Sequence, residues 1–285
     1  MGNLYIKTFE IFLFTAFFLY FAHSVSKKGL RNTIFSVFPL LIYGWILEQA
    51  TILSFEAYSY NVSGFIFVIM DAPLCIAAGW SVITNLCIDM AYSLEGLKKP
   101  AVLAGVFGLL IDFSMDGLAV FYSFWSWAPE KQGVEHPFFG VPAGNFMAWF
   151  TIITSYAFFK ASLSENIYKK SAGFAPVIIS FITLFIVLTA IDVSKIELLF
   201  LHIPWFITYA AVIIPLTIFS SIKLYRSKTG PSRTVHLLYG SFHAFFIIYA
   251  VIAGLNGNWL YLPVGITASI PAFAAVVPGI KKESG

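Results

Sequence analysis

Four carboxylates lie in stretches of sequence that are otherwise apolar enough for lipid: Glu48, Asp71, Asp112 and Asp116. A charged side chain at the centre of a membrane helix costs about 2.5 to 3.5 kcal/mol on insertion scales, so each acid needs a partner or a function. A carboxyl group removed from water keeps its proton more readily and can serve as an acid. One such acid alone is equally well explained by a hydrogen bond to a neighbouring helix, but four at similar depth favour a site.

The spacing of Asp112 and Asp116 supports this interpretation. Residues four apart lie on one face of a helix, one turn above the other. The two groups can therefore share a proton, a water molecule or a cation. Asn145 has an amide that can position water or a carboxylate, and capping or helix packing is an equally good explanation for it.

Aromatic residues are frequent around the acids. They are Trp45, Tyr58, Tyr60, Trp80, Phe121, Trp125, Trp127, Phe146 and Trp149. Trp and Tyr are typical of membrane interfaces, which explains part of this set. Aromatic faces also stabilise a cation in a water-poor pocket, so a binding role is an equal alternative.

The whole composition explains why these acids are unusual. Of 285 residues, 59% are hydrophobic and only 11% charged, and the mean hydropathy is +0.84. A soluble domain carries about a quarter charged residues, so lipid must surround this chain. The net charge of +3 is small and its basic residues form short clusters, which argues against nucleic acid as a partner.

Apolar runs of about 20 residues span a bilayer as helices, because a helix satisfies its own backbone polar groups. The sequence predicts an all-α polytopic bundle, one membrane domain over residues 1–285, with Pro73 kinking the long third helix. The nine predicted helices are Leu4 to Val25, Thr33 to Phe55, Val62 to Leu94, Ala101 to Trp127, Ala143 to Leu163, Ala172 to Ile191, Glu197 to Ile222, Val235 to Leu255 and Trp259 to Pro278.

Basic residues cluster in alternate loops. Of the 17 Lys and Arg residues, all but Lys7, Lys131 and Lys195 fall on one side of this helix arrangement. Cytoplasmic loops carry the excess of Lys and Arg, so the N-terminus is predicted outside and the C-terminus inside. The four acids then fall in the outer half of the bundle.

Several short motifs together resemble a known family. They are Gly44-Trp45-Ile46-Leu47-Glu48, Tyr58-Ser59-Tyr60, Asp112-Phe113-Ser114-Met115-Asp116, Trp125-Ser126-Trp127, Gly140-Val141-Pro142, Asn145-Phe146 and Trp149. This pattern, within residues 44–149, resembles the membrane carotenoid hydratase family that includes bisanhydrobacterioruberin hydratase. Gly117 stands where the family often has proline.

The resemblance implies addition of water to a carbon-carbon double bond of a long isoprenoid, either a carotenoid or the chain of an archaeal ether lipid. It implies a multi-pass protein of the cell membrane whose partners are substrate, water and lipid, with no organic cofactor and no metal. The predicted catalytic residues are Glu48, Asp112 and Asp116 of these motifs, together with Asp71, which is included as a further carboxylate in an apolar run. The implied substrate-binding residues are Trp45, Tyr58, Tyr60, Trp125, Trp127, Asn145 and Trp149.

Two alternatives remain open from the residues. A membrane prenyltransferase uses Asp-rich motifs to hold magnesium and diphosphate, and Asp112 with Asp116 imitates one such motif, although a second is missing from the sequence. A proton-coupled transporter would also use acids within the membrane.

The charge asymmetry predicts the topology directly. Reporter tags after Gly285 and within the Lys223 to Arg233 loop should both report the cytoplasm, because that side holds most basic residues. Protease protection of the two tags in sealed vesicles measures this. An extracellular C-terminus would contradict the prediction and place the acids in the inner half.

Overall fold

The computed structural model describes residues 2–56, 58–94, 100–127, 138–164, 174–194, 203–227 and 229–274. These residues form nine helices and two small two-stranded antiparallel sheets, one of which is a hairpin. The helices are α1 Gly2–Lys28, α2 Leu30–Ala50, α3 Leu74–Tyr92, α4 Pro100–Phe121, α5 Ala143–Ser164, α6 Ala175–Ser194, α7 Trp205–Arg226, α8 Arg233–Leu255 and α9 Tyr261–Ala274. A π-helical turn, Thr51–Phe55, extends α2, and a second, Tyr209–Ile213, lies within α7.

Seven of these helices are long and apolar enough to cross a membrane, and α6 and α9 contain shorter apolar stretches. The predicted all-α polytopic membrane bundle is confirmed. Parts of the sequence predictions lie outside the described residues: the ends of three predicted helices, at 172–173, 197–202 and 275–278, and the basic residues Lys98, Lys99, Lys131, Lys169, Lys170, Lys195, Lys228, Lys281 and Lys282.

Helices α3 and α4 form the centre of the bundle. Almost all of their residues are buried, and between them they pack against α1, α2, α5, α7, α8 and α9. Close packing requires small residues at the contacts. A Cβ added at Gly108 of α4 would lie 2.1 Å from Cδ1 of Ile153, so glycine lets α5 approach α4. The acids of α4 are therefore enclosed by protein.

The predicted third helix was too long. Helix α3 begins only at Leu74, and the preceding residues form a 3-10 turn, Val62–Gly64, and a hairpin of β2 Val68–Ile69 with β3 Ala72–Pro73. Pro73 is thus the boundary of α3 and not a kink, because proline has no N–H to donate inside a helix. Asp71 lies exposed in the hairpin turn, so its predicted place three turns inside a membrane helix was wrong.

The predicted fourth helix also ended earlier than expected. Helix α4 stops at Phe121, and Ser123 adopts a left-handed φ of 58° that reverses the chain. The next residues form strand β4, Trp125–Trp127, which pairs antiparallel with β1, Tyr58–Tyr60. We call this pair the aromatic ribbon.

A buried acid outside the predicted set fixes the β2–β3 hairpin. Glu10 of α1 is 1% exposed, and its two carboxylate oxygens accept the backbone N–H groups of Ile66 at 2.7 Å and Phe67 at 2.9 Å. The hairpin in turn accepts hydrogen bonds at the carbonyl of Ile69 from Trp45 and Gln49 of α2. Glu10 therefore ties α1, the hairpin and the end of α2 together.

The substitution Glu10→Gln should destabilise the protein. Glutamine keeps one acceptor but turns its amide toward a backbone N–H, which leaves buried donors unpaired and costs about 1 to 3 kcal/mol. A lower Tm in detergent solution is the expected result. Asp71→Asn is the matched control, because this exposed carboxylate should change Tm little. Equal Tm values for both variants would contradict the role of Glu10.

Candidate active site

Glu48, in the last turn of α2, accepts hydrogen bonds from three side chains. It is 5% exposed. The indole of Trp80 donates to Oε1 at 2.6 Å, and the hydroxyl groups of Tyr60, at 2.6 Å, and Tyr58 donate to Oε2. Trp80 comes from α3 and both tyrosines come from β1. Three separate elements of the chain therefore converge on one carboxylate.

The close approach of α2 and α3 at this point depends on Gly44, one turn before Glu48. A Cβ at position 44 would lie 2.7 Å from Cβ of Trp80, a contact that packed side chains do not tolerate. The missing side chain lets α3 pack against α2 closely enough for the indole to reach Glu48. The π-helical turn that follows α2 is a feature often found at functional sites.

Asp112 and Asp116 form a second group on α4. They are 0% and 3% exposed. The side-chain amide of Asn145, in the first turn of α5, donates to Oδ2 of Asp112 at 3.1 Å and to Oδ2 of Asp116 at 2.6 Å. Oδ1 of Asp112 is buried without a hydrogen-bond partner. The predicted pairing of these two acids is present in the structure, and Asn145 connects them.

The two groups of acids share one site. Asp116 lies near enough to Glu48, and to the tyrosines that bind it, for their charges to interact, and the indole of Trp125 also lies beside Asp116. Three of the four predicted carboxylates thus meet, and Asp71 does not join them. Within the described ranges, no three His, Cys, Asp or Glu side chains are grouped closely enough to hold a metal ion.

The aromatic ribbon presents its rings to these acids. Residues of a strand alternate between its faces, so Tyr58 and Tyr60 share one face, while Ser59 points away and is exposed. The register pairs Tyr58 with Trp127 and Tyr60 with Trp125, with ring centroids 4.9 and 5.7 Å apart. Four rings therefore line one side of the site.

The remaining predicted binding residues divide between two places. Trp149 of α5 is buried and stacks on Trp80, with ring centroids 4.2 Å apart, so it lies next to the donor of Glu48. Trp45 instead donates to the carbonyl of Ile69 at 3.3 Å and belongs to the hairpin contact. The sequence marked Trp80 only as one aromatic among many, and nothing in its position indicated that it binds Glu48.

The site combines carboxyl groups that are buried from solvent with the faces of aromatic rings. A carboxylate held by three donors can stabilise a positive charge, and aromatic faces add to that stabilisation. A carboxyl pair with a free oxygen can hold a proton or position water. No Lys, Arg or His of the described residues forms an ion pair with Glu48, Asp112 or Asp116. The site is suited to proton transfer involving an apolar molecule.

Comparison with known proteins gives the family. A family model described as carotenoid biosynthesis protein matches residues 6–215, which include every residue of the site. No curated protein and no solved structure matched the chain. The resemblance inferred from the sequence motifs is thereby confirmed at the level of a membrane family that acts in carotenoid and isoprenoid biosynthesis. This chain belongs to the carotenoid biosynthesis protein family.

Proposed function

We propose that this protein is a hydratase that adds water across a carbon-carbon double bond of a long isoprenoid chain. The substrate is a carotenoid or the isoprenoid chain of an ether lipid. One observation supports this most strongly: Glu48, Asp112 and Asp116 are buried together beside aromatic rings, in a bundle that is apolar elsewhere. An apolar substrate needs no charged partner, whereas protonating its double bond needs an acid.

The reaction proceeds by proton transfer. A carboxyl group gives its proton to one alkene carbon, and the electron pair of the double bond forms the new C–H bond. The other carbon becomes a tertiary cation, which water attacks through its oxygen. The surplus proton of that water returns to a carboxylate, so the enzyme is regenerated and one water is added. No redox partner takes part.

The residues around the acids suit the cation. The rings of Tyr58, Tyr60, Trp125 and Trp127 offer electron-rich faces, and a nearby carboxylate offers negative charge. Asn145 lies where its amide can hold the aspartates in position. These groups lower the energy of the charged transition state without a cofactor.

Location follows from the same proposal. The substrate dissolves in the bilayer, so an enzyme with helices long enough to span it receives the isoprenoid laterally. We place the protein in the cell membrane with its N-terminus and its carboxylates toward the outside, as the distribution of basic residues indicates.

Carboxylate-to-amide substitutions test the chemistry. Asp116→Asn and Glu48→Gln keep the size of each side chain but remove its transferable proton and its negative charge, so each should lower hydrated product at least about 100-fold. Asp112→Asn should also be impaired. The measurement is the mass spectrum of pigments and lipids extracted from a host with and without the protein. With the wild-type protein, the substrate should gain the mass of one water molecule.

Asp71→Asn serves as the control for these variants, because Asp71 is exposed and apart from the other acids. It should keep its activity, with all variants present in the membrane at near-normal levels. Wild-type rates for both Asp116→Asn and Glu48→Gln would refute acid catalysis by this cluster. If only Asp71→Asn lost activity, Asp71 and not the buried cluster would be the residue that the reaction requires.

Chelation separates hydration from prenyl transfer. Proton transfer to an alkene needs no divalent metal, so activity should survive thorough treatment with EDTA. Product formation by purified protein in lipid vesicles, with and without EDTA, measures this. Loss of activity that magnesium restores would favour a prenyltransferase, and accumulation of unmodified substrate inside the vesicles would favour a transporter.

A further inference from the structure

The three carboxylates of the site differ sharply in their hydrogen bonds. Glu48 accepts from three donors that reach both of its oxygens. Asp112 and Asp116 together receive the amide group of Asn145, Asp116 also receives the indole of Trp125, and Oδ1 of Asp112 receives nothing. This difference is independent of the substrate, and it bears on which group holds a proton.

The surroundings of Glu48 favour the anion. Donors that point at a carboxylate stabilise its charged form, and an indole N–H cannot act as an acceptor. A proton on Oε1 would face the N–H of Trp80, and a proton on Oε2 would compete with two hydroxyl groups. Glu48 is therefore arranged as an ionised group.

The aspartate pair is arranged differently. Its carboxylates lie one helical turn apart and share the two N–H bonds of one amide, with Glu48 close to Asp116. Ionising both carboxyl groups at such a site costs free energy, because their negative charges repel each other. One proton shared between them removes this repulsion. The described part of the chain brings no cation to the pair.

We propose that the Asp112–Asp116 pair holds the one proton that is transferred to the alkene, while Glu48 stays ionised and stabilises the resulting cation. This assignment rests on the proposed hydration. The O–H bond of the pair breaks as the new C–H bond forms, and the pair becomes fully ionised. Water then adds to the cation, and its surplus proton restores the pair. Tyr58, Tyr60 and Trp80 act as positioning residues that keep Glu48 charged.

Infrared spectroscopy of the full-length protein in lipid tests the assignment without substrate, because protonated and ionised carboxyl groups absorb at different frequencies. At neutral pH the wild type should show a protonated-carboxyl band that shifts when aspartate carries ¹³C in its side-chain carboxyl group. Asp112→Asn should lose this band, and Glu48→Gln should keep it. Asp89 lies apart from this pair, next to Lys28 and Tyr20, so loss of the band in Asp112→Asn distinguishes the pair from Asp89.

Each alternative result overturns the assignment. A protonated band that shifts with ¹³C-labelled glutamate and disappears in Glu48→Gln would make Glu48 the acid. Absence of any aspartate-derived band would mean that the pair is fully ionised. If Asp112→Asn fails to fold, the labelled wild type still decides the question. Since no substrate is present, a failure of hydration shows up in the product assay and not in this spectrum.

A tyrosine substitution tests the positioning role. Tyr60→Phe removes one donor from Glu48, so a glutamate-derived protonated band should appear while product formation falls. Tyr92→Phe is the matched control, because its hydroxyl donates to the carbonyl of Ala157 away from the acids. A spectrum of Tyr60→Phe identical to that of the control would show that the tyrosine does not hold Glu48 in its charged form.

Discussion

The cost of removing carboxylates from water constrains this structure more than any other interaction. A buried acid is tolerated only when donors surround it or when it keeps its proton. Glu48 meets this requirement through donors from α3 and β1, and the aspartates of α4 meet it through Asn145 of α5. Positioning these donors requires that α2, α3, α4, α5 and the aromatic ribbon meet at one point.

The central position of α3 and α4 follows from the same requirement. A helix facing lipid could not hide an acid from hydrocarbon, whereas α4 is enclosed by its neighbours. Glycines at the contacts allow this enclosure, since Gly44 admits Trp80 and Gly108 admits Ile153. Small residues thus determine how near the donors come to the acids.

Much of this architecture could be predicted from the sequence, because lipid imposes long apolar runs and makes acids conspicuous. The helix count and the association of Glu48 with Asp112 and Asp116 follow from these signals. The contribution of Trp80 could not be predicted, because the orientation of its indole depends on how α2 and α3 pack. Glu10 is also a carboxylate in an apolar run, but its binding to the backbone of Ile66 and Phe67 depends on how the hairpin packs against α1 and could not be predicted.

Two errors have a common physical cause. The predicted fourth helix included Trp125-Ser126-Trp127, although these residues alternate with the period of two that is typical of strands. Pro73 likewise marks the start of α3 and was interpreted as a kink. In a membrane protein, hydropathy alone does not separate a helix from a short apolar hairpin buried against the bundle.

Because rings and serines alternate in the aromatic ribbon, the number of residues that lead into each strand matters more than their types. In the observed register Ser59 lies opposite Ser126, and a slip of one residue would turn the aromatic rings of a strand outward and its serine inward. Insertion or deletion of a single residue in the turn between α4 and β4 would impose such a slip on Trp125 and Trp127 together. The turn between α4 and β4 should therefore tolerate substitutions better than changes of its length.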